Sequence, residues 1–522
     1  MKYITGQNRT QTFIFPVSLD QAISADNEVR AIDVFVDSLL LKEYGFRLDF
    51  GENGRPAYHP ADLLKLFLYG YLNKVRSSRD LEKECSRNIE VMWLVKGLKP
   101  DHNTISNFRK DNPEAIRKVF MATVQLAKNL KLIGGRLIAG DSTKMRAQNS
   151  KKNNFNQAKV DRHIEYIDKK LAEYNKELAN ADGDHEQAKK EIEKHLKRKD
   201  KYSKIEQQIK ETGQVQVSTS DPDSRQLITR NNITEVGYNI QTTVDAEHCL
   251  PIDYKVTNEN DSKAMGDMLV RASEIIGNTS FTALYDKGYH TGSELKTAQD
   301  LGIETIVAIP ETPSSCSAPD TAYNLSEFKF SYDEYCYICP QGQKLTTNGS
   351  WYKKDHRNSS IRIQRFRTKA CKNCPVANLC TRNPKRGRVI ERSEFTPYIE
   401  VNRKNTEEKQ HIYKRRQSIV EHPYGIIKRQ WGFYYIMTKC GMDHAAADAG
   451  LIFTAFNLRR IINIIGFDKF RSVLELFICL FKAFFGDLRA AFRIYTEFLS
   501  LNKIISLNPF HEEKTWQRKV FS

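Results

Sequence analysis

Three carboxylates stand where a predicted strand or helix meets a glycine or proline. Asp141 lies in Ala139-Gly140-Asp141-Ser142, after the strand-like run Arg136 to Ala139. Asp286 lies in Tyr285-Asp286-Lys287-Gly288, after Phe281 to Tyr285, and Glu421 lies in Val420-Glu421-His422-Pro423. Acids brought to one point by rigid elements suit magnesium, which takes hard oxygen ligands and keeps waters and phosphate oxygens in its shell. A pair of such ions about 4 Å apart can drive in-line displacement at a phosphodiester. Taken singly, each acid has a plainer reading. An Asp after a strand is often a turn former or helix cap, Glu421 suits a solvated helix face, and spacing leaves Asp221, Asp223 and Asp245 as rivals. Lys428 follows Glu421 by two helical turns and faces the same way, where it can grip a DNA backbone. Arg415, Arg416 and Arg429 widen that basic surface, and Lys144 adds a cation just past Asp141.

A second constellation is built of sulfur. Cys336-x-x-Cys339 and Cys371-x-x-Cys374, each followed by proline (Pro340 and Pro375), and then Cys380 form a zinc-ribbon-like arrangement. Five thiols leave the choice of four ligands open. The competing reading is a loop-rich insert with reduced cysteines. Arg382, Lys385, Arg386 and Arg388 beside them suit either DNA contact or a solvated loop.

The elements that must position these residues fall into blocks. Residues 1–130 read as a helical DNA-binding domain. Ala61 to Asn73 carries apolar residues at helical spacing, and Ser78 to Cys85, a turn at Lys99 to Asp101, and a helix opening at Thr104 make a helix-turn-helix-like pattern. Asn103 or Thr104 is the expected cap, and Ser106, Asn107 and Arg109 are side chains able to reach phosphates and base edges. A plain helical bundle fits the same pattern. Residues 151–212 are highly charged, with Val160, Ile164, Ile167, Leu171, Tyr174 and Leu178 on a heptad seam, which predicts an inserted helical hairpin. Strands return at Val236 to Val244 and Leu250 to Val256, then helix and strand alternate to Ile309. The expected fold is thus α/β, a mixed sheet assembled from residues 131–150, 213–310 and 400–465. A Cys-rich insertion spans 311–399, and a helical tail spans 466–522.

With 522 residues the chain exceeds one core, and its net charge of +17 and pI near 9.2 point to a polyanionic partner. Nucleic acid is the first expectation and an anionic membrane the second. The N-terminus lacks a signal-peptide pattern. The greasiest stretch, Val473 to Phe485, is broken by Glu475 and Lys482 and is short for a bilayer, so it reads as a core helix. A cytoplasmic, reducing setting without a membrane partner is therefore expected, with the cysteines unbridged.

In this order the segments resemble bacterial insertion-sequence transposases of the DDE class. The N-terminal stretches Arg55 to Cys85 and Gly97 to Asn112 are similar to that family's helical domain. Gly140 to Lys152 resembles the segment of its first Asp, with Asp221 to Arg225 and Val236 to Asp245 as following strands. Leu284 to Leu295 resembles the second Asp segment, Arg415 to Gly432 the Glu segment, and Phe456 to Ile461 the closing one. The resemblance covers residues 1–465 and implies a ribonuclease H-like catalytic domain. It also implies Asp141, Asp286 and Glu421 as ligands of two Mg2+ (or Mn2+) ions, with Asp221 and Asp245 structural. Part of the family also has a tyrosine and an arginine before the Glu and a lysine after it. Lys428 fits, whereas Tyr413 and Arg416 each stand one residue too far from Glu421. The implied reaction is hydrolysis at transposon ends followed by strand transfer into target DNA, by a homodimer or higher assembly on double-stranded DNA. Two other classes remain: a DNA-binding protein with a decayed site, and a metal-dependent nuclease without strand transfer. A structural coiled-coil protein would account only for residues 151–210.

Overall fold

The computed structural model describes residues 18–48, 57–180, 186–228, 233–311, 317–356 and 359–486. The far end of the expected C-terminal tail lies outside the described residues.

The N-terminal part is helical: α1 Glu28–Asp37, α2 Pro60–Leu72, α3 Ser78–Arg87, α4 Ile89–Leu94, α5 His102–Asp111 and α6 Pro113–Asn129. Pro60 and Pro113 open their helices, where a missing N–H costs nothing. α2 is apolar nearly all round and is accordingly buried nearly all round. α5 is capped by Asp101, not by Asn103 or Thr104: its carboxylate accepts from both of their backbone amides at 2.9 Å. Aspartate, two residues before Asn103 and three before Thr104, satisfies two end donors at once, which neither expected cap can do from inside the helix. α3 packs against α5, as a helix-turn-helix-like pair requires.

The chain then enters the main sheet: β1 Leu137–Arg146, followed by the hairpin helices α7 Gln157–Asn180 and α8 Glu186–Thr212, then β2 Arg225–Ile228, β3 Thr234–Asp245 and β4 Leu250–Thr257. Next come α9 Met265–Ile276, β5 Thr282–Tyr285, α10 Gly292–Asp300 and β6 Glu304–Val307. The strand order is β4-β3-β1-β5-β6, with β2 also pairing β3. β3 runs antiparallel to β1 and β4, whereas β5 and β6 run parallel to β1. The parallel strands follow helical crossovers, as parallel pairing demands. β1 is longer than its sequence suggested. Asp141 sits in mid-strand, because the polar run Ser142 to Arg146 still pairs with β3 as far as Gly237.

In the hairpin, Val160 and Ile167 of the heptad seam are buried, while Ile164, Leu171, Tyr174 and Leu178 are half-buried. The base of the hairpin has its own small cluster of Phe155, Val160, Ile205, Ile209 and Val217. The insertion after β6 forms two three-stranded sheets. β7 Lys329–Ser331, β8 Cys336–Ile338 and β9 Lys344–Leu345 make one; β10 Tyr352–His356, β11 Ser359–Phe366 and β12 Ile390–Ser393 make the other.

The chain returns through α11 Thr396–Glu408, α12 Arg415–Tyr424, α13 Met442–Ile465 and α14 Phe467–Gly486. α13 packs against α6, β4 and α2, so the N-terminal helices and the sheet share one continuous apolar core. Rings from three of these elements meet there: Phe120 lies 5.0 Å from Tyr254, and Tyr254 lies 5.4 Å from Phe453. Among the described residues no single helix is long and apolar enough to cross a membrane. Met442–Ile465 with Phe467–Leu476 passes that test only as a pair bent by 109°, and α13 is largely buried in the core.

Candidate active site

Strand register brings two of the three acids together. β1 and β5 pair through Leu137↔Thr282, Ile138↔Ala283 and Ala139↔Leu284. Gly140 then lies beside Tyr285, so Asp141 and Asp286 emerge from neighbouring parallel strands where their pairing ends. Gly140 is required there: a Cβ would stand 2.0 Å from the Tyr285 ring. Arg416 of α12 spans the two acids, its Nη2 lying 3.2 Å from Asp141 Oδ2 and 3.7 Å from Asp286 Oδ2. Asp286 also caps the turn that follows, accepting from the Gly288 amide at 2.8 Å.

Burial pushes the Asp141 carboxyl up to about 6. Arg416 and the Ser142 amide pull it down, while Asp286 and Asp261 push it further up. Burial is the largest of these effects, and Arg416 only partly offsets it.

Asp261 is the site residue that sequence reasoning missed. It opens the turn Asp261–Lys263 after β4, and its Oδ1 accepts from Asn239 at 2.7 Å and Gln241 at 2.8 Å. A Cβ on Gly288 would stand 3.0 Å from Asp286 Oδ1 and 3.8 Å from Asp261 Oδ2. Both carboxylates thus stand close to the Gly288 backbone. The available signal was an acid shortly after a strand, weakened by four intervening polar residues in the Thr257 to Asn260 run.

Glu421 does not join this group as the side chains stand. It is exposed and accepts from Gln417 Nε2 at 3.0 Å. Its helix is nevertheless fixed against β1: the Tyr424 hydroxyl reaches Thr242 and, at 3.3 Å, the Asp141 carbonyl, and Lys428 Nζ donates to the Lys144 carbonyl at 2.9 Å. α12 runs through Pro423 and continues as a π-helical turn, Gly425–Gln430. Pro423 has no N–H to give the ladder, and π turns of this kind recur at functional sites. Among the described residues, no three His, Cys, Asp or Glu side chains are gathered closely enough to hold a metal ion as they stand.

The remaining candidates divide. Asp221 is buried, accepting from the Tyr238 hydroxyl and the Gly441 amide; Asp223 accepts from the Met442 amide, and Asp245 from the Gly134 and Gly135 amides. These three acids brace loops. Arg109, expected to face DNA, is instead buried and ion-paired with Asp448 at 3.3 Å. It lies on the inner face of α5, one turn after Ile105, while Asn107 is exposed and Ser106 half-exposed. Arg415 and Arg429 are exposed, but Arg416 points inward to the acids. Of the five insert cysteines, Cys339, Cys371, Cys374 and Cys380 line one cavity and Cys336 stands apart.

Two family models match the chain. A transposase domain known as DUF772 matches residues 17–111, and a transposase DDE domain matches residues 338–462. Both matches support an insertion-sequence DDE transposase. The second match contains Glu421, Lys428 and four of the insert cysteines, whereas Asp141 and Asp286 lie between the two. Among curated proteins none matches. Among solved structures the chain is similar to the piggyBac transposase of a synaptic complex with hairpin DNA. Identity is 9% over 93% of this chain and 86% of that one, with a TM-score of 0.28, too low to carry any detail across.

Proposed function

We propose that this DNA transposase cleaves transposon ends and joins them to target DNA at a site built on Asp141, Asp286 and Glu421. The observation that carries the reading is the register of β1 and β5, which sets Asp141 beside Asp286 just past the point where the two strands stop pairing. The strand order, with three antiparallel strands followed by two parallel ones, supports a ribonuclease H-like catalytic domain. A divalent ion fits the acids present: Asp141 is held up by burial and by two neighbouring carboxylates, so added positive charge would be stabilising. Magnesium or manganese, two ions in the full assembly, would activate the attacking oxygen and stabilise the leaving one.

The protein's own groups do the positioning. Asp141 and Asp286 hold the phosphate-proximal face. Glu421 is one helical turn before Tyr424, which anchors the helix at Asp141, so the two share a helix face. Arg416 then exchanges carboxylate for phosphate, while Arg415, Arg429, Lys144 and Lys428 draw the backbone of double-stranded DNA. Asn107 and Ser106 on α5 are the proposed end-recognition residues. Two DNA ends require a homodimer or larger assembly, acting in the cytoplasm.

The test is cleavage and joining of DNA that carries the terminal repeats flanking the gene, in magnesium, for the wild type and for Asp141→Ala, Asp286→Ala and Glu421→Ala. Joined products from the wild type alone are expected. Cleaved but never joined ends would make the protein a nuclease, and an active Glu421→Ala would remove that residue from the site.

A further inference from the structure

The insertion has its own core of Phe328, Tyr337, Leu345, Phe366 and Ile390. So few buried side chains seldom hold a fold of this kind without a staple. Its thiols are arranged unevenly. Cys339, Cys371, Cys374 and Cys380 converge from two separate segments on one cavity walled by Phe328, Leu345 and Val376. Cys336 is buried elsewhere on β8 and gives its thiol hydrogen to Glu334.

We propose that Cys339, Cys371, Cys374 and Cys380 bind one zinc ion as a four-thiolate structural site, and that Cys336 is not a ligand. Cys339 heads a tight turn. The Gly342 amide donates to the Cys339 carbonyl at 2.8 Å, Gly342 has φ +76°, and the Gln343 amide donates to Cys339 Sγ at 3.3 Å. Amides directed at a sulfur stabilise the thiolate, the form that ligates metal. Facing this turn, Gly387 leaves room for Cys371: with φ +76°, it has its backbone so close that a Cβ would stand 2.8 Å from Cys371 Cβ. Arg388, next in the chain, donates to the Cys380 carbonyl at 3.3 Å and lies over the Phe328 ring at 5.6 Å. Its charge sits beside the thiols.

Four thiols in an apolar pocket cannot all ionise without a cation. An all-sulfur set selects zinc over the hard ions of the catalytic acids. As they stand the sulfurs are not drawn to one point. Binding therefore pulls the turn Lys369–Asn373 and the short helix Ala377–Cys380 onto the Cys339 turn, coupling metal uptake to order in the insert.

The experiment uses the full-length chain, loaded with zinc and freed of excess, with metal content measured by mass spectrometry. One zinc per chain is expected in the wild type and in Cys336→Ser, and a loss of at least about tenfold in Cys371→Ser and in Cys380→Ser. Because serine variants can unfold the insert, cobalt substitution of the wild type supplies a second reading. Intense sulfur-to-cobalt charge-transfer bands with tetrahedral visible bands are expected. Zinc lost from Cys336→Ser but kept in Cys371→Ser would overturn the ligand set. A metal-free or iron-loaded wild type, a cobalt adduct without thiolate bands, or disulfides joining these cysteines would overturn the site. None of these readouts depends on DNA cleavage.

Discussion

At the scale of single residues, the site is governed by the burial of the Asp141 carboxyl. Its carboxyl, pushed up to about 6 by burial from an ordinary 3.8, keeps its proton in the folded chain after the unfolded chain has released it. Folding therefore becomes less favourable as pH rises between those values, and the cost is fully present above about 6. Without divalent ions, Asp141→Asn should be more stable than the wild type at pH 8, by ~1–2 kcal/mol once the lost Arg416 contact is allowed for. The advantage should vanish near pH 4. Urea midpoints at the two pH values check this, and an advantage of equal size at both would refute it. The same proton competes with the metal, so magnesium-dependent cleavage should fall about tenfold per pH unit below pH 6. Arg416→Gln removes the main group that lowers the Asp141 carboxyl. The acid limb of the pH profile should then move upward; an unmoved limb would mean that Arg416 does not govern this acid.

At the scale of elements, what was legible and what was not follow from the range of each interaction. Asp141 and Asp286 could be singled out because short apolar runs ending in an acid are local patterns. Their adjacency, implied by the family resemblance, is not a local pattern, since it depends on β1 and β5 pairing across the whole hairpin and three other strands. Asp261 escaped notice because its place is set by Asn239 and Gln241 on a strand distant in sequence. Arg109 was misjudged for the mirror reason: a polar helix looks solvated until its partner, Asp448, arrives from the far end of the chain. Gly140 is where local and long-range demands meet, because only a bare α-carbon lets β1 pass the Tyr285 ring. Gly140→Ala should cost ~1–3 kcal/mol through forced displacement of that packed ring. It should also lower cleavage, because the displacement falls between the two acids. A urea midpoint unchanged from wild type would show that the strand absorbs the methyl group.

At the scale of the molecule, the question is what keeps the N-terminal helices in register with the main sheet. The answer converges on Asp448 of α13. Its buried carboxylate accepts from the Tyr71 hydroxyl of α2, from Arg76, from Arg109 of α5 and from the Met437 amide. Burial alone would raise this acid, but Arg76 and Arg109 outweigh it and hold it below its ordinary value. Arg76 also donates to the Tyr435 carbonyl, and the flanking residues Tyr434 and Ile436 pair with Arg146 at the end of β1. A continuous set of bonds therefore runs from the helix carrying Asn107 to the strand carrying Asp141. Removing Asp448 leaves two arginines buried without their shared anion, a change that typically costs about 3–5 kcal/mol. Asp448→Ala should show that loss in urea denaturation. It should also expose the 72–77 segment to protease under conditions where the wild type is resistant. Asp448→Asn keeps the shape but not the charge, and should suffer nearly as much if the ion pairs carry the energy. Should Asp448→Asn instead match the wild type, shape and neutral hydrogen bonds would suffice to hold the two parts, and the buried charge would serve another purpose.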